Sequence, residues 1–167
     1  MLKQLSKQEV EIIAWLEFNS RYFFTTKEVQ HFFNNKKQQY NWTDRLIKKN
    51  RIVKLNKTKY FLIPIKAKSG SWAEDPFILA DEICNSINYF IGGWAAANYW
   101  KLTDQIPVQF DIYTTRRQGN INVLNTPFRF HRTTKNKIKK SVSKKINKHQ
   151  FYILNKRDTK KWMKSRE

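Results

Sequence analysis

Between Asn88 and Thr115 the chain reads NYFIGGWAAANYWKLTDQIPVQFDIYTT, with one lysine, two aspartates and no arginine, inside a chain whose formal net charge is +20. So neutral and aromatic a stretch has to be buried. It therefore marks the centre of a folded body, and the charge must be arranged around it. The charge distribution agrees. Residues 1–65 carry 13 Lys/Arg against 5 Asp/Glu, residues 66–115 carry 3 against 6, and residues 116–167 carry 17 against 2. Net charge of this size speaks of partners rather than fold. A basic head and a basic tail flanking a neutral middle predict two polyanion-facing surfaces. An apolar fraction of 40% is enough to build a core and excludes wholesale disorder. The single cysteine, Cys84, makes neither an internal disulfide nor a cysteine-based zinc site, so a reducing compartment fits. MLKQLSKQEV has no signal-peptide core, and the weakly polar run Tyr89–Trp100 is too short to cross a bilayer. The expectation is a cytoplasmic protein with no membrane partner.

The fold class expected is α+β: an N-terminal winged helix-turn-helix over residues 1–65, a linker over 66–71 (KAKSGS), and a small α/β domain over 72–167 with a short mixed sheet and a basic C-terminal helical segment. In the head, SKQEVEIIAWLEFN places Val10, Ile13, Ala14, Leu16 and Phe18 near a helical period, and Ser6 with Glu9 has capping-box spacing. A second short helix is predicted after Thr25, with Glu28 reaching back to it, Val29, Phe32 and Phe33 as its apolar edge, and Asn34-Asn35 as its end. A third helix follows in KKQQYNWTDRLIKKN. Trp42 and Leu46 face inward, joined by Tyr40, Thr43 and Ile47, and Asn50 closes it in the left-handed region. RIVKL and KYFLIP then form a hairpin tipped by Asn56-Lys57-Thr58.

A helix of this kind fits the DNA major groove, where exposed side chains near its N-terminus reach base edges. Gln38, Gln39 and Asn41 are types that pair with adenine. Lys36, Lys37, Arg45 and Lys48 suit phosphate or guanine, Thr26 and Lys27 precede the helix, and the wing lysines Lys54, Lys57 and Lys59 would lie on the backbone. Phe23, Phe24, Phe32, Phe33 and Trp42 are assigned to the core. A charged solvated helix face and a protein-docking winged helix are the plainer alternatives.

In the second domain, Asp75-Pro76 starts a helix with Phe77, Leu79 or Ala80, Ile83 and Ile87 on its apolar side. Tyr89–Ile91 is extended, Gly92-Gly93 turns the chain tightly into a helix of small residues ending near Leu102, and VQFDIYTT alternates as a half-buried strand. NINVL and FRFHRT read as two more strands separated by Asn125-Thr126-Pro127. The lysine-rich stretch 135–148 reads as a helix with Ile138, Val142 and Ile146 docked on the sheet. FYIL is expected as a last strand, with Trp162 and Met163 anchoring a last helix. Arg116, Arg117, Arg129, Arg132, Lys135, Lys137, Lys139, Lys140, Lys144 and Lys145 form the predicted second basic surface.

The combination of FFTTKEV, RLIKKNRIVKLNKTKYFLIP, YFIGGWAAANYWKLTDQIP, FDIYTTRR and FRFHRTT resembles the AbiEi family of bacterial antitoxins and transcriptional regulators over roughly residues 6–135. Lys101-Leu102-Thr103 stands in for the family's Gly-Leu-Thr-like turn. The resemblance implies an N-terminal winged helix joined to an antitoxin domain. It implies repression of the protein's own operon through double-stranded DNA repeats in the promoter, with two copies on a repeat. It also implies neutralisation of a nucleotidyltransferase toxin in the type IV manner, without a stable complex.

No enzyme, cofactor or metal is expected. His31, His131 and His149 lack ligand spacing, and no phosphate loop or nucleophile elbow occurs. A nucleotidyltransferase palm would need two carboxylates on one strand, whereas Asp111 is followed two residues on by Tyr113. Asp111 is read as an exposed strand residue or a partner for an arginine, and Cys84 as an inert core thiol. The competing functional class is a structure-directed RNA-binding protein using the basic C-terminal half.

Overall fold

The computed structural model describes residues 4–67 and 72–166 and divides the chain into two compact units, Met1–Ala73 and Glu74–Glu167. Residues 68–71 of the expected linker lie outside the described residues.

Unit 1 runs α1 (Lys7–Phe18), β1 (Phe23–Thr25), a 3-10 turn (Gln30–Phe32), α2 (Lys36–Lys48), β2 (Ile52–Lys54) and β3 (Lys59–Leu62). The capping box at Ser6 forms: its hydroxyl accepts from the Glu9 N–H at 3.3 Å while Glu9 Oε2 accepts from the Ser6 N–H at 2.7 Å. The buried face of α1 is Glu9, Ile12, Ile13 and Leu16. Val10, Ala14 and Phe18, expected on that face, point to solvent, because the true stripe lies one position away and ends at Leu16. Trp42 and Leu46 of α2 are fully buried against this stripe with Phe24 and Leu62. Burying each such side chain contributes about 1.5–3 kcal/mol.

The second helix is corrected. Thr25 belongs to β1, pairing with Lys59, and residues 26–33 run in successive i→i+3 turns rather than an α-helix. The expected local signal is present, since Glu28 Oε2 accepts from the Thr25 N–H at 2.6 Å. But the chain leaves a strand on one side, and Asn35 on the other side caps α2, accepting from the Gln38 N–H at 2.9 Å. Tyr40 and Ile47 are also corrected: both are exposed, Tyr40 at 70%. Asn50 closes α2 with φ 54°, as expected. The sheet order is β1-β3-β2, antiparallel throughout. Asn56 accepts from the Thr58 and Lys59 N–H groups and fixes the β2–β3 loop.

Unit 2 contains α3 (Pro76–Cys84), β4 (Tyr89–Gly92), α4 (Gly93–Tyr99), β5 (Phe110–Thr114), β6 (Gly119–Val123), β7 (Thr126–Arg132), a single helical turn α5 (Lys135–Ile138), β8 (Ser141–Ile146), β9 (His149–Leu154) and α6 (Lys156–Lys164). Six strands form one mixed sheet in the order β6-β7-β5-β4-β9-β8. β4 lies antiparallel to β5 and parallel to β9, and β5 lies parallel to β7. The neutral stretch of the sequence thus supplies the central strands β4 and β5 and the helix α4, whose Ala95, Ala96 and Ala97 are buried. Asp75 caps α3 by accepting from the Phe77 N–H at 2.8 Å. Phe77 packs its ring on Phe110 and Phe151, and so seats α3 on one face of the sheet. Helix α4 ends at Tyr99, short of Leu102, while Val108 and Ile87, read as apolar packing positions, are exposed at 87% and 48%.

The basic tail is the largest correction. Residues 141–154 form a β-hairpin, not a helix. Val142 and Ile146 stand four apart, which suits one helical face, but also two apart through Lys144, which suits one strand face. Asn147 (φ 48°) and Lys148 (φ 69°) form a two-residue left-handed turn that decides between them. The loop between β6 and β7 is likewise two residues, Leu124-Asn125, both left-handed, so Thr126 and Pro127 sit in β7. The expected strand FYIL is found inside β9, and the last helix is α6.

Candidate nucleic-acid interface

Side chains from three segments of unit 1 surround one concavity of ≈ 550 Å³. Thr26 and Lys27 come from the turn after β1, Lys36 from the start of α2, and Lys54 and Lys57 from the β2–β3 hairpin. Four lysines thus converge, with no carboxylate in the lining. Exposed Tyr40 stands at the same place; its period had suggested an inward ring, and Gln30 beside it was not singled out at all. Lys37, Gln38, Asn41, Arg45 and Lys48 lie on exposed parts of α2 outside this lining, and Lys59 is half-buried in β3.

Not all of these side chains are available. Gln39 is 9% exposed and its Nε2 donates to the Thr26 carbonyl, so it ties α2 to the preceding turn and cannot reach a base. Gln38 Oε1 accepts from the Asn34 N–H at 3.0 Å, which leaves its amide nitrogen as a donor. Lys48 pairs with Asp44 at 2.8 Å, one turn back. Arg45 and Lys49 both reach the fully buried carboxylate of Glu9, at 3.4 and 2.7 Å. Burial alone would raise the Glu9 carboxyl. The Lys49 bond, the Ser6 N–H and the Lys49 charge outweigh it and hold the group below the usual carboxylate range. Glu9 therefore locks α1 to the C-terminal turn of α2 and sets how that helix projects.

In unit 2 the predicted basic residues stand in several local settings. Arg132, Lys137 and Lys140 share a second cavity, of ≈ 250 Å³, with Phe90, Tyr113 and Trp162. Arg129 and Arg132 line a shallow polar hollow with His131 and Gly119. Arg117 stacks on Phe130 at 4.2 Å, and Lys144 lies over Trp100 at 5.1 Å. Arg116, Lys135, Lys139 and Lys145 are exposed outside both cavities. Asp111 is half-buried and meets a histidine rather than an arginine: His131 Nε2 lies 2.7 Å from its Oδ1. The rings of Phe90, Tyr113 and His131 stack in a row across β4, β5 and β7, with centroids 5.0 and 4.7 Å apart.

Donor atoms of Asp81, Glu82 and His149 lie within 4.8 Å of one another, the grouping among the described residues with the types a divalent ion takes. Asp81 is nevertheless already bonded on both oxygens, to the Tyr89 hydroxyl at 2.6 Å, the Ser86 hydroxyl at 2.7 Å and His149 at 2.9 Å. The group acts as a lock between α3 and the start of β9. Sequence spacing could not show it, since His149 is 68 residues from Asp81. Cys84 is buried, and burial, with the Asp81 charge, pushes its thiol up to about 12, so it is not a nucleophile.

Among the described residues no helix is long and apolar enough to cross a membrane. No protein-family model matches the chain, and no curated protein matches it.

Proposed function

We propose that unit 1 is a winged helix-turn-helix that binds duplex DNA, and that the protein is an autorepressor and antitoxin of the kind the AbiEi resemblance implies, acting against a nucleotidyltransferase toxin without a stable complex. In this reading α2 enters the major groove and the β2–β3 loop is the wing. The observation that carries it is the convergence of Lys27, Lys36, Lys54 and Lys57, from three separate segments, on one concavity with no carboxylate in its lining. Lysines gathered this way track a phosphate backbone. Base reading falls to Lys37, Gln38, Asn41 and Tyr40, all exposed on α2; buried Gln39 positions the helix instead. Two copies would occupy a promoter repeat.

Fluorescence anisotropy with a duplex from the protein's own promoter and a random duplex of equal length tests this. The promoter duplex should bind at least about a thousandfold tighter at physiological salt. Equal affinities would contradict sequence reading by α2. Co-expression with an adjacent nucleotidyltransferase should restore growth if the antitoxin half holds.

RNA binding by unit 2 is the second reading, favoured by the gathering of Arg132, Lys137 and Lys140 beside aromatic rings. It predicts RNA affinity that survives loss of the unit 1 lysines.

A further inference from the structure

The cavity of ≈ 250 Å³ in unit 2 shares no lining residue with the lysine-lined concavity of unit 1. Its lining is apolar at Phe90, Tyr113, Leu154 and Trp162, and carries three cations, Arg132, Lys137 and Lys140, and a single carboxylate, Asp158. We propose that this cavity binds a nucleoside 5′-monophosphate, free or as the 5′ end of a strand, with the base on the Trp162 ring and at the edge of Tyr113 and the phosphate on Arg132, Lys137 and Lys140.

At ≈ 250 Å³ the cavity is just smaller than the about 300 Å³ at which sites for drug-sized ligands begin, and it is half-open, so a mononucleotide seated in it keeps part of its sugar in solvent. The rings are fixed in advance. Tyr113 is held between Phe90 and His131, at interplanar angles of 6° and 19°, and His131 is itself held by Asp111. Trp162 is braced edge-on by Trp94 at 5.3 Å. A base that meets rings already held costs little ordering entropy. Three cations against one carboxylate leave a local charge matching a phosphate monoester, which is close to a dianion at neutral pH.

Asp158 adds a preference. Its side chain accepts from the Asn155 amide at 3.0 Å, and that bond first, then the charges of Lys140, Arg157 and Lys161, keep it ionised. An ionised carboxylate beside an aromatic wall accepts from an exocyclic amine. Adenine, guanine and cytosine present one and uracil does not. The Tyr113 phenol, pushed up by burial and by Asp111, stays protonated and offers a neutral donor.

Isothermal titration of the full chain with 5′-AMP, adenosine, inorganic phosphate and 5′-UMP tests the proposal. 5′-AMP should bind at least about tenfold tighter than each of the other three. Replacing Lys137 and Lys140 together by serine, both exposed, should weaken 5′-AMP about tenfold and leave adenosine unchanged. Trp162→Ala should weaken both by about tenfold, and circular dichroism establishes whether that variant folds. A 5′-phosphorylated oligonucleotide that binds tighter than 5′-AMP assigns the site to a strand end, and the reverse order assigns it to a free nucleotide. The proposal is overturned if 5′-AMP gives no saturable heat at millimolar concentration. It is equally overturned if adenosine matches 5′-AMP, or if the paired serine variant binds 5′-AMP as well as the unaltered protein. None of these results bears on promoter binding, so this inference and the duplex-binding reading fail separately, whereas the RNA reading shares Arg132, Lys137 and Lys140 with it.

Discussion

Helix α2 and the β8–β9 hairpin are both rich in lysine and of similar length, and before folding they look alike. One became a helix with its charge on one exposed side, the other a hairpin with its charge divided between two faces. In α2, Trp42 and Leu46 are four apart with Thr43 between them, all buried, and Asn35 caps the start. No strand alternation accommodates that triplet. In β8, Val142 and Ile146 fit either period, and the decision came from elsewhere: the left-handed pair Asn147-Lys148, and β9, whose Phe151 and Ile153 are buried in the sheet. The consequence is functional. α2 can present Lys37 and Asn41 outward from the same unit as the β2–β3 loop, whereas strand alternation sends Lys144 back over Trp100 and leaves Lys145 outside. Lysine content marks a polyanion surface only when the apolar period places the lysines on one side.

The comparison can be broken at several points. The largest effect is expected at Glu9, whose buried carboxylate couples α1 to α2. Glu9→Gln should cost about 1.5–3 kcal/mol at neutral pH, because the glutamine keeps the capping box but removes the buried charge that Lys49 and Arg45 face. Because the folded-state carboxyl is held below its ordinary value, that stability is present above the unfolded pKa and is lost as pH falls through the folded one. The gap between variant and wild type in urea melts should therefore close below about pH 4. Next is Gly93, at φ +62°, where an added Cβ would lie 2.6 Å from Asp111 Oδ2. Gly93→Ala should cost about 1–2 kcal/mol and disturb the Asp111–His131 contact, visible as displaced His131 ring resonances by NMR. The smallest effect has the sharpest sign. Lys148→Gly should stabilise the protein by about 0.5–1 kcal/mol in the left-handed turn, whereas in a helix the same change would destabilise it by about 1 kcal/mol.

What the sequence made legible follows from the same contrast. Caps written in adjacent residues were readable: Ser6 with Glu9, Asp75 before Pro76, and Asn50 at the end of α2. So was the neutral centre, because its burial requires no partner to be known. Elements decided by distant pairing were not. Strand β1 exists through Phe61 and Tyr60 of β3, nearly forty residues on, and β9 finds its place beside β4 through Ile91 and Ile153. Of the candidate site, the lysines of α2 and the β2–β3 hairpin were readable from type and order. Gln39 and Tyr40 were exchanged, because a phase error of one residue on a helix moves a side chain by about 100°, enough to bury the glutamine and expose the ring. The second cavity was invisible, since Phe90, Tyr113, Lys137 and Trp162 meet only once the sheet has formed.

The central claim is that unit 1 grips a duplex through the lysines of α2 and the wing. Its most direct test is the salt dependence of promoter binding by the protein and by the Lys36→Ala/Lys54→Ala/Lys57→Ala variant. The unaltered protein should show log affinity falling against log salt with a slope of roughly −4 to −5, and the variant a slope shallower by about 3 with far weaker binding. Identical slopes and affinities would place the duplex elsewhere and contradict the account.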